Sequence, residues 1–175
     1  METDLRYPIG KFARPETLSE GQRRECIEQI AEAPARLAAA LGGLSREQLN
    51  TPYRPGGWTL CQLAHHVADS HMNAYVRFRL ALTEENPTIK TYEEARWAEL
   101  ADAKVLPIEP SLILLENLHK RWVALLKAMT PADWNRSFRH PELGAMRLDQ
   151  NLAMYAWHGR HHVAHVTSLR ERNAW

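Results

Sequence analysis

Only two of the 175 residues are cysteine, Cys26 and Cys61, and they stand far apart with no CxxC pair between them. That spacing excludes a small disulfide-stapled frame and a cysteine-built zinc site, and it suits a reducing compartment. Charge of one sign is also lacking, since Lys plus Arg number 22 against 21 Asp plus Glu. So even a balance leaves no electrostatic footprint for nucleic acid or for an anionic membrane surface. No uninterrupted apolar run is long enough to span a bilayer, and the first residues lack the basic-then-apolar order of a signal peptide. The expectation is a cytoplasmic protein. Convincing strand runs, internal repeats and low-complexity segments are missing as well. With 45% apolar residues the chain can bury a substantial core, and residues 1–175 read as a single domain.

What is present is helix. After an irregular arm over residues 1 to about 18, Ser19 and Gln22 form a capping box. Ile27, Ile30, Leu37 and Leu41 then recur at helical spacing until Gly42 and Gly43 end the run. Pro34 lies inside this helix and is expected to kink it, because proline removes a hydrogen bond and clashes with the preceding turn. Residues 45–48 add a single turn. Two prolines and two glycines between Thr51 and Trp58 force a shaped loop. Thr59 with Gln62 opens a second helix to about Leu82, with Leu60, Leu63, Val67, His71, Ala74, Phe78 and Leu82 on one face.

A long connection over 84–110 holds a short helix near Tyr92 to Ala101, and a third long helix runs from about Ser111 to Met129. Thr130 and Pro131 start another turn, residues 135–147 read as an irregular loop or short hairpin, and a last helix spans about Leu148 to Arg172. Four long amphipathic helices with short extra helices in the connections predict an all-α four-helix bundle.

The last helix carries the chemistry. Four of the nine histidines fall between Tyr155 and His165. His158 and His162 are four apart, so both imidazoles stack on one helical face within reach of one metal ion. His161 points elsewhere, and His165 follows on the side of His162. Two imidazoles make half of a zinc-type or nickel-type site, and a third ligand must come from another helix. The His65-His66 pair is the obvious donor. Periodicity does not aim His66 into the core, however, because it lies roughly 120° from the centre of its helix's apolar stripe at about 100° per residue. His71 reads as a satisfied core histidine, His119 as a packed or capping one, and His140 beside Pro141 as a surface residue.

The segments Thr51 to Thr59, Leu63 to Asn73, Trp157-His158 and His161 to His165 resemble the DinB/YfiT-like metalloenzyme family, most nearly its YfiT branch of metal-dependent hydrolases. The likeness extends to Tyr7 through Gly10 and to Arg77 through Glu85. It implies a four-helix bundle, commonly a homodimer, with one divalent metal on three histidines. Carried over by motif, the ligands are His66, His158 and His162. The broader family often has glutamine three residues after the last ligand, where this chain has His165, which then either supports the ligands or competes for the metal. Asp69, one turn beyond His66, either receives the other N–H of that ring or is a solvated residue.

Three neutral imidazoles with an open position belong to a catalytic rather than a closed structural metal site. Zinc is the expected ion, with nickel the alternative. The implied activity is hydrolysis of a small-molecule substrate, with the metal and its water as nucleophile. Alternatives are a metal-dependent thiol S-transferase, which joins a low-molecular-weight thiol to electrophiles, and a non-catalytic metal-binding stress protein.

Overall fold

The computed structural model describes residues 4–175. Four long helices form the bundle: α1 (Glu20–Leu41), α3 (Leu60–Thr83), α6 (Glu109–Ala128) and α7 (Leu148–Asn173). Between them lie α2 (Arg46–Leu49), α4 (Glu94–Trp97), α5 (Ala101–Val105), a 3-10 turn (Asp133–Asn135) and a hairpin of β1 (Ser137–His140) and β2 (Gly144–Arg147). The expected single short helix near Tyr92 is therefore two helices. Residues 135–147 take the hairpin form, with Phe138 opposite Met146 and the turn closed by Gly144 at φ +71°, a conformation that favours glycine.

The capping boxes read at Ser19 and Thr59 form, and Ser45 opens the turn at 45–48 with a third. Ser19, Ser45 and Thr59 each accept from the backbone N–H three residues on, and the glutamine at that position accepts from the cap's own N–H. Of the expected N-terminal arm, the described residues 4–18 form neither helix nor strand. The arm is tied to α7 where the buried Asp149 carboxylate accepts from the Leu18 N–H at 3.1 Å and from Arg147 Nη2 at 2.6 Å. Those contacts hold the Asp149 carboxyl below its usual value against the opposing effect of burial.

α1 packs on α7 and α6, and α3 packs on α6 and α7, so α1 and α3 stand at diagonal corners. The core is divided along its length. One apolar cluster holds Ile30, Phe78, Trp122, Phe138 and Leu152; the other holds Leu37, Leu63, Val67, Leu115 and Val166. Between them every long helix presents something other than a large aliphatic side chain: Ala33 and Pro34 on α1, Ser70 and His71 on α3, His119 on α6, and the histidines of α7. The bundle thus has a polar waist, and the candidate site lies in it.

Candidate metal centre

His66, His158 and His162 each offer a ring nitrogen, and those three atoms lie within 4.8 Å of one another. The ring centroids are 4.4 Å apart for His158–His162, 5.0 Å for His66–His162 and 5.5 Å for His66–His158. The i, i+4 spacing on α7 brings the first pair together, with Nε2 facing Nε2 at 3.2 Å. Two nitrogens bound at about 2.0–2.1 Å to a tetrahedral ion stand about 3.3 Å apart. That pair is therefore already at ligand spacing.

His66 is only 6% exposed, contrary to the stripe reading. The reason is that α3 is covered on two sides, by α6 and by α7, so its buried arc is wider than one stripe of large apolar residues. The loop over 51–58 also folds onto it, where Trp58 packs against the His66 ring at 4.5 Å. The loop needs glycine at Gly57, since a Cβ there would come within 2.8 Å of Arg54 Cγ and 3.2 Å of Tyr53 Cζ.

Burial keeps the three rings neutral. It lowers His66 to about 4, with no carboxylate beside it to oppose the effect. It also drives His158 and His162 well below the ordinary imidazole range, and neighbouring histidines add to the effect. Neutral imidazole is the form that binds a cation, and His162 Nδ1 is buried without a partner.

The other candidates are placed apart. His65 turns toward α6, with Nδ1 2.8 Å from Ser111 Oγ and Nε2 3.4 Å from the Leu106 carbonyl oxygen. Asp69 does not serve His66; burial and the Asp102 carboxylate on α5 raise its pKa. His161 stacks on Trp157 at 4.3 Å with Tyr7 of the arm nearby, and so is buried rather than solvated. His165 donates through Nε2 to the Arg6 carbonyl at 3.3 Å and packs on Tyr53 at 4.2 Å. His71, read from the sequence as a core histidine, and His119, read as a packed or capping one, are buried and hydrogen-bonded in series to His158. Spacing carried no signal for that series, because its three rings come from three helices.

A cleft of about 400 Å³ reaches His158, within the size range of small-molecule sites. Its lining includes Ser70, Arg77, Tyr92, His140 and Tyr155. His140 is half-buried there, not a free surface residue. Arg77 Nη1 donates to Tyr155 Oη at 3.5 Å, Ser70 Oγ lies 3.4 Å from the same hydroxyl, and Tyr92 Oη is buried without a partner. Burial raises both tyrosine hydroxyls, which stay protonated as hydrogen-bond donors. The site thus pairs three neutral nitrogen donors with a neighbouring cleft that offers one guanidinium and two phenols.

Residues 29–166 match the family model of the DinB superfamily. A Bacillus mycoides protein named "Putative metal-dependent hydrolase" is 55% identical over 172 residues, covering 98% of this chain and 99% of its own. A Bacillus anthracis protein of the same name is 53% identical over the same coverage. Among solved structures, YfiT from Bacillus subtilis, described as a probable metal-dependent hydrolase with an unusual four-helix bundle topology, superposes with a TM-score of 0.96 at 46% identity. It matches 98% of this chain and 99% of its own. The four-helix bundle protein TT2238 shares the fold, with a TM-score of 0.59 at 22% identity over 83% of this chain and 98% of its own. A bundle with this histidine waist, matched along its length by these relatives, belongs to the DinB superfamily.

Proposed function

We propose that this chain is a metal-dependent hydrolase of small molecules, with His66, His158 and His162 holding one divalent cation. The observation that carries the reading is the convergence of three neutral imidazoles, His66 and His162 buried and His158 partly exposed where it lines a polar cleft, with His158 and His162 at 3.2 Å. Zinc is the ion we favour, with nickel the alternative, because imidazole suits both. A divalent cation held there would act as a Lewis acid and lower the pKa of water toward about 7. The protein side chains do the rest. Arg77 offers a fixed positive charge to an anionic or carbonyl part of the substrate. Tyr155, held between Arg77 and Ser70, keeps its proton and donates to oxygen as negative charge develops there. Trp58, Tyr53 and the N-terminal arm close the site from behind, through their contacts with His66, His165 and His161, and keep bulk water to the cleft side.

The test joins metal content to turnover. Protein loaded with Zn²⁺ should hold one equivalent, and His66→Ala, His158→Ala and His162→Ala should each lose most of it, whereas His161→Ala should not. Loaded protein should hydrolyse activated esters or amides without added thiol. Full occupancy in His66→Ala would overturn the ligand set. Turnover of an electrophile only when a small thiol is supplied, with no hydrolysis, would replace the hydrolase reading with thiol transfer.

A further inference from the structure

The polar waist contains a directed chain of hydrogen bonds that begins at a proline. Pro34 has no N–H, so the carbonyl of Ile30, four residues earlier in α1, loses its intrahelical donor. His119 of α6 takes that place, with Nδ1 2.6 Å from the Ile30 oxygen. His119 Nε2 then meets His71 Nδ1 of α3 at 2.8 Å, and His71 Nε2 meets His158 Nδ1 of α7 at 3.1 Å. His71 is fully buried and His119 is 2% exposed, so neither ring can turn to water for a partner.

The direction of this chain is fixed at one end. A carbonyl oxygen only accepts, so His119 carries its proton on Nδ1 and presents a bare Nε2. His71 must donate to that atom from Nδ1, which leaves its own Nε2 bare. His158 must in turn donate from Nδ1. Three neutral rings supply one proton to each of three hydrogen bonds, and the lone pair left over sits on His158 Nε2. That is the atom facing His162 Nε2 at 3.2 Å.

We propose that His119 and His71 are positioning residues that lock His158 in its Nδ1–H tautomer, so that the Nε2 lone pair is set toward the metal position before any ion arrives. Pro34 is the origin of the device, because it frees the carbonyl on which the direction depends. An unconstrained imidazole divides between two tautomers and many ring orientations, and only one combination binds here. The relay removes that choice from His158. The meaning for metal binding rests on the ligand set proposed above; the tautomer assignment does not.

The two parts separate in experiment. In metal-free protein labelled with ¹⁵N-histidine, two-bond proton–nitrogen correlation spectra should show His119, His71 and His158 all protonated at Nδ1. An Nε2–H form as the main species at any of the three overturns the relay. His119→Gln keeps a donor for the Ile30 carbonyl and an acceptor for His71, whereas His119→Leu has neither. The leucine variant should therefore populate both tautomers of His158 and lose about 10- to 100-fold in Zn²⁺ affinity, measured by chelator competition. The glutamine variant should stay close to the parent in both. A leucine variant with unchanged His158 tautomer and unchanged affinity refutes the proposal. Should the leucine variant fail to fold, the spectra of the parent and of His119→Gln still decide it. Parent protein with the expected tautomers but no Zn²⁺ binding would sink the ligand set and leave the relay standing.

Discussion

Gly159 is the position where the packing of the bundle and the geometry of the site meet. It is buried on α7 beside His158, and a Cβ placed there would lie 3.1 Å from Ala33 Cβ of α1 and 3.8 Å from His71 Cε1. Two effects oppose each other in Gly159→Ala. Replacing glycine by alanine inside a helix stabilises by about 1 kcal/mol. Against this, carbon atoms prefer about 3.5–4.0 Å, so α7 must retreat from α1 by roughly half an ångström. Overpacking of this kind typically costs about 1–3 kcal/mol. The neighbour is a methyl group fixed to the α1 backbone and cannot swing aside, so the clash should win. We expect a net destabilisation of about 1 kcal/mol, read from the urea midpoint at constant m. The same retreat displaces His158 from His71 and His66, and a shift of about half an ångström is the tolerance of a metal or catalytic site. Zn²⁺ affinity should therefore fall together with stability. Ala33→Gly makes room for the new methyl, and the double variant should recover both quantities, with a coupling energy of about 1–2 kcal/mol. A Gly159→Ala protein stabilised by the full helix-propensity gain, with coupling to Ala33→Gly near zero and affinity unchanged, would refute the close approach of α1 and α7.

Acid should destabilise the metal-free protein through its buried histidines. Burial lowers His119 to about 4 while the unfolded chain titrates near 6.5, so the unfolded state binds the extra proton between those values. Stability is complete above about 6.5 and is lost as pH falls toward 4, by on the order of 2 kcal/mol at pH 5 from this group, with His66 acting in the same direction. Urea midpoints that do not move between pH 7.5 and 5 would contradict the neutral waist. At the cleft, Tyr155→Phe removes the hydroxyl held by Arg77 and Ser70 but no nitrogen donor. It should leave Zn²⁺ occupancy intact and lower kcat for ester hydrolysis by about 100-fold, as loss of a transition-state donor does; an unchanged kcat would remove Tyr155 from the proposed mechanism.

The parts of this molecule legible in the sequence are those set by local rules. Ser19 with Gln22 and Thr59 with Gln62 mark helix starts because a side chain and a backbone N–H three residues apart satisfy each other. His158 and His162 are found because one helix alone fixes their spacing. His66 is misread by periodicity because a hydrophobic stripe describes a helix with one covered face, and α3 has two. His71 and His119 are recognisable as buried, yet their connection to His158 exists only where α3, α6 and α7 meet. Pro34 shows the limit most plainly. The sequence reveals that a proline inside α1 strips a hydrogen bond from the Ile30 carbonyl, and local reasoning counts this as a defect to be absorbed by bending. α1 runs through Pro34 to Leu41, as its apolar spacing predicts, and a donor from another helix occupies the vacated acceptor. A buried carbonyl without a donor is costly, so an interior proline in a packed helix requires a partner from outside that helix. In this chain the partner is a histidine, and a histidine that donates at one nitrogen must accept at the other. The local defect thus sets the direction of every hydrogen bond up to His158.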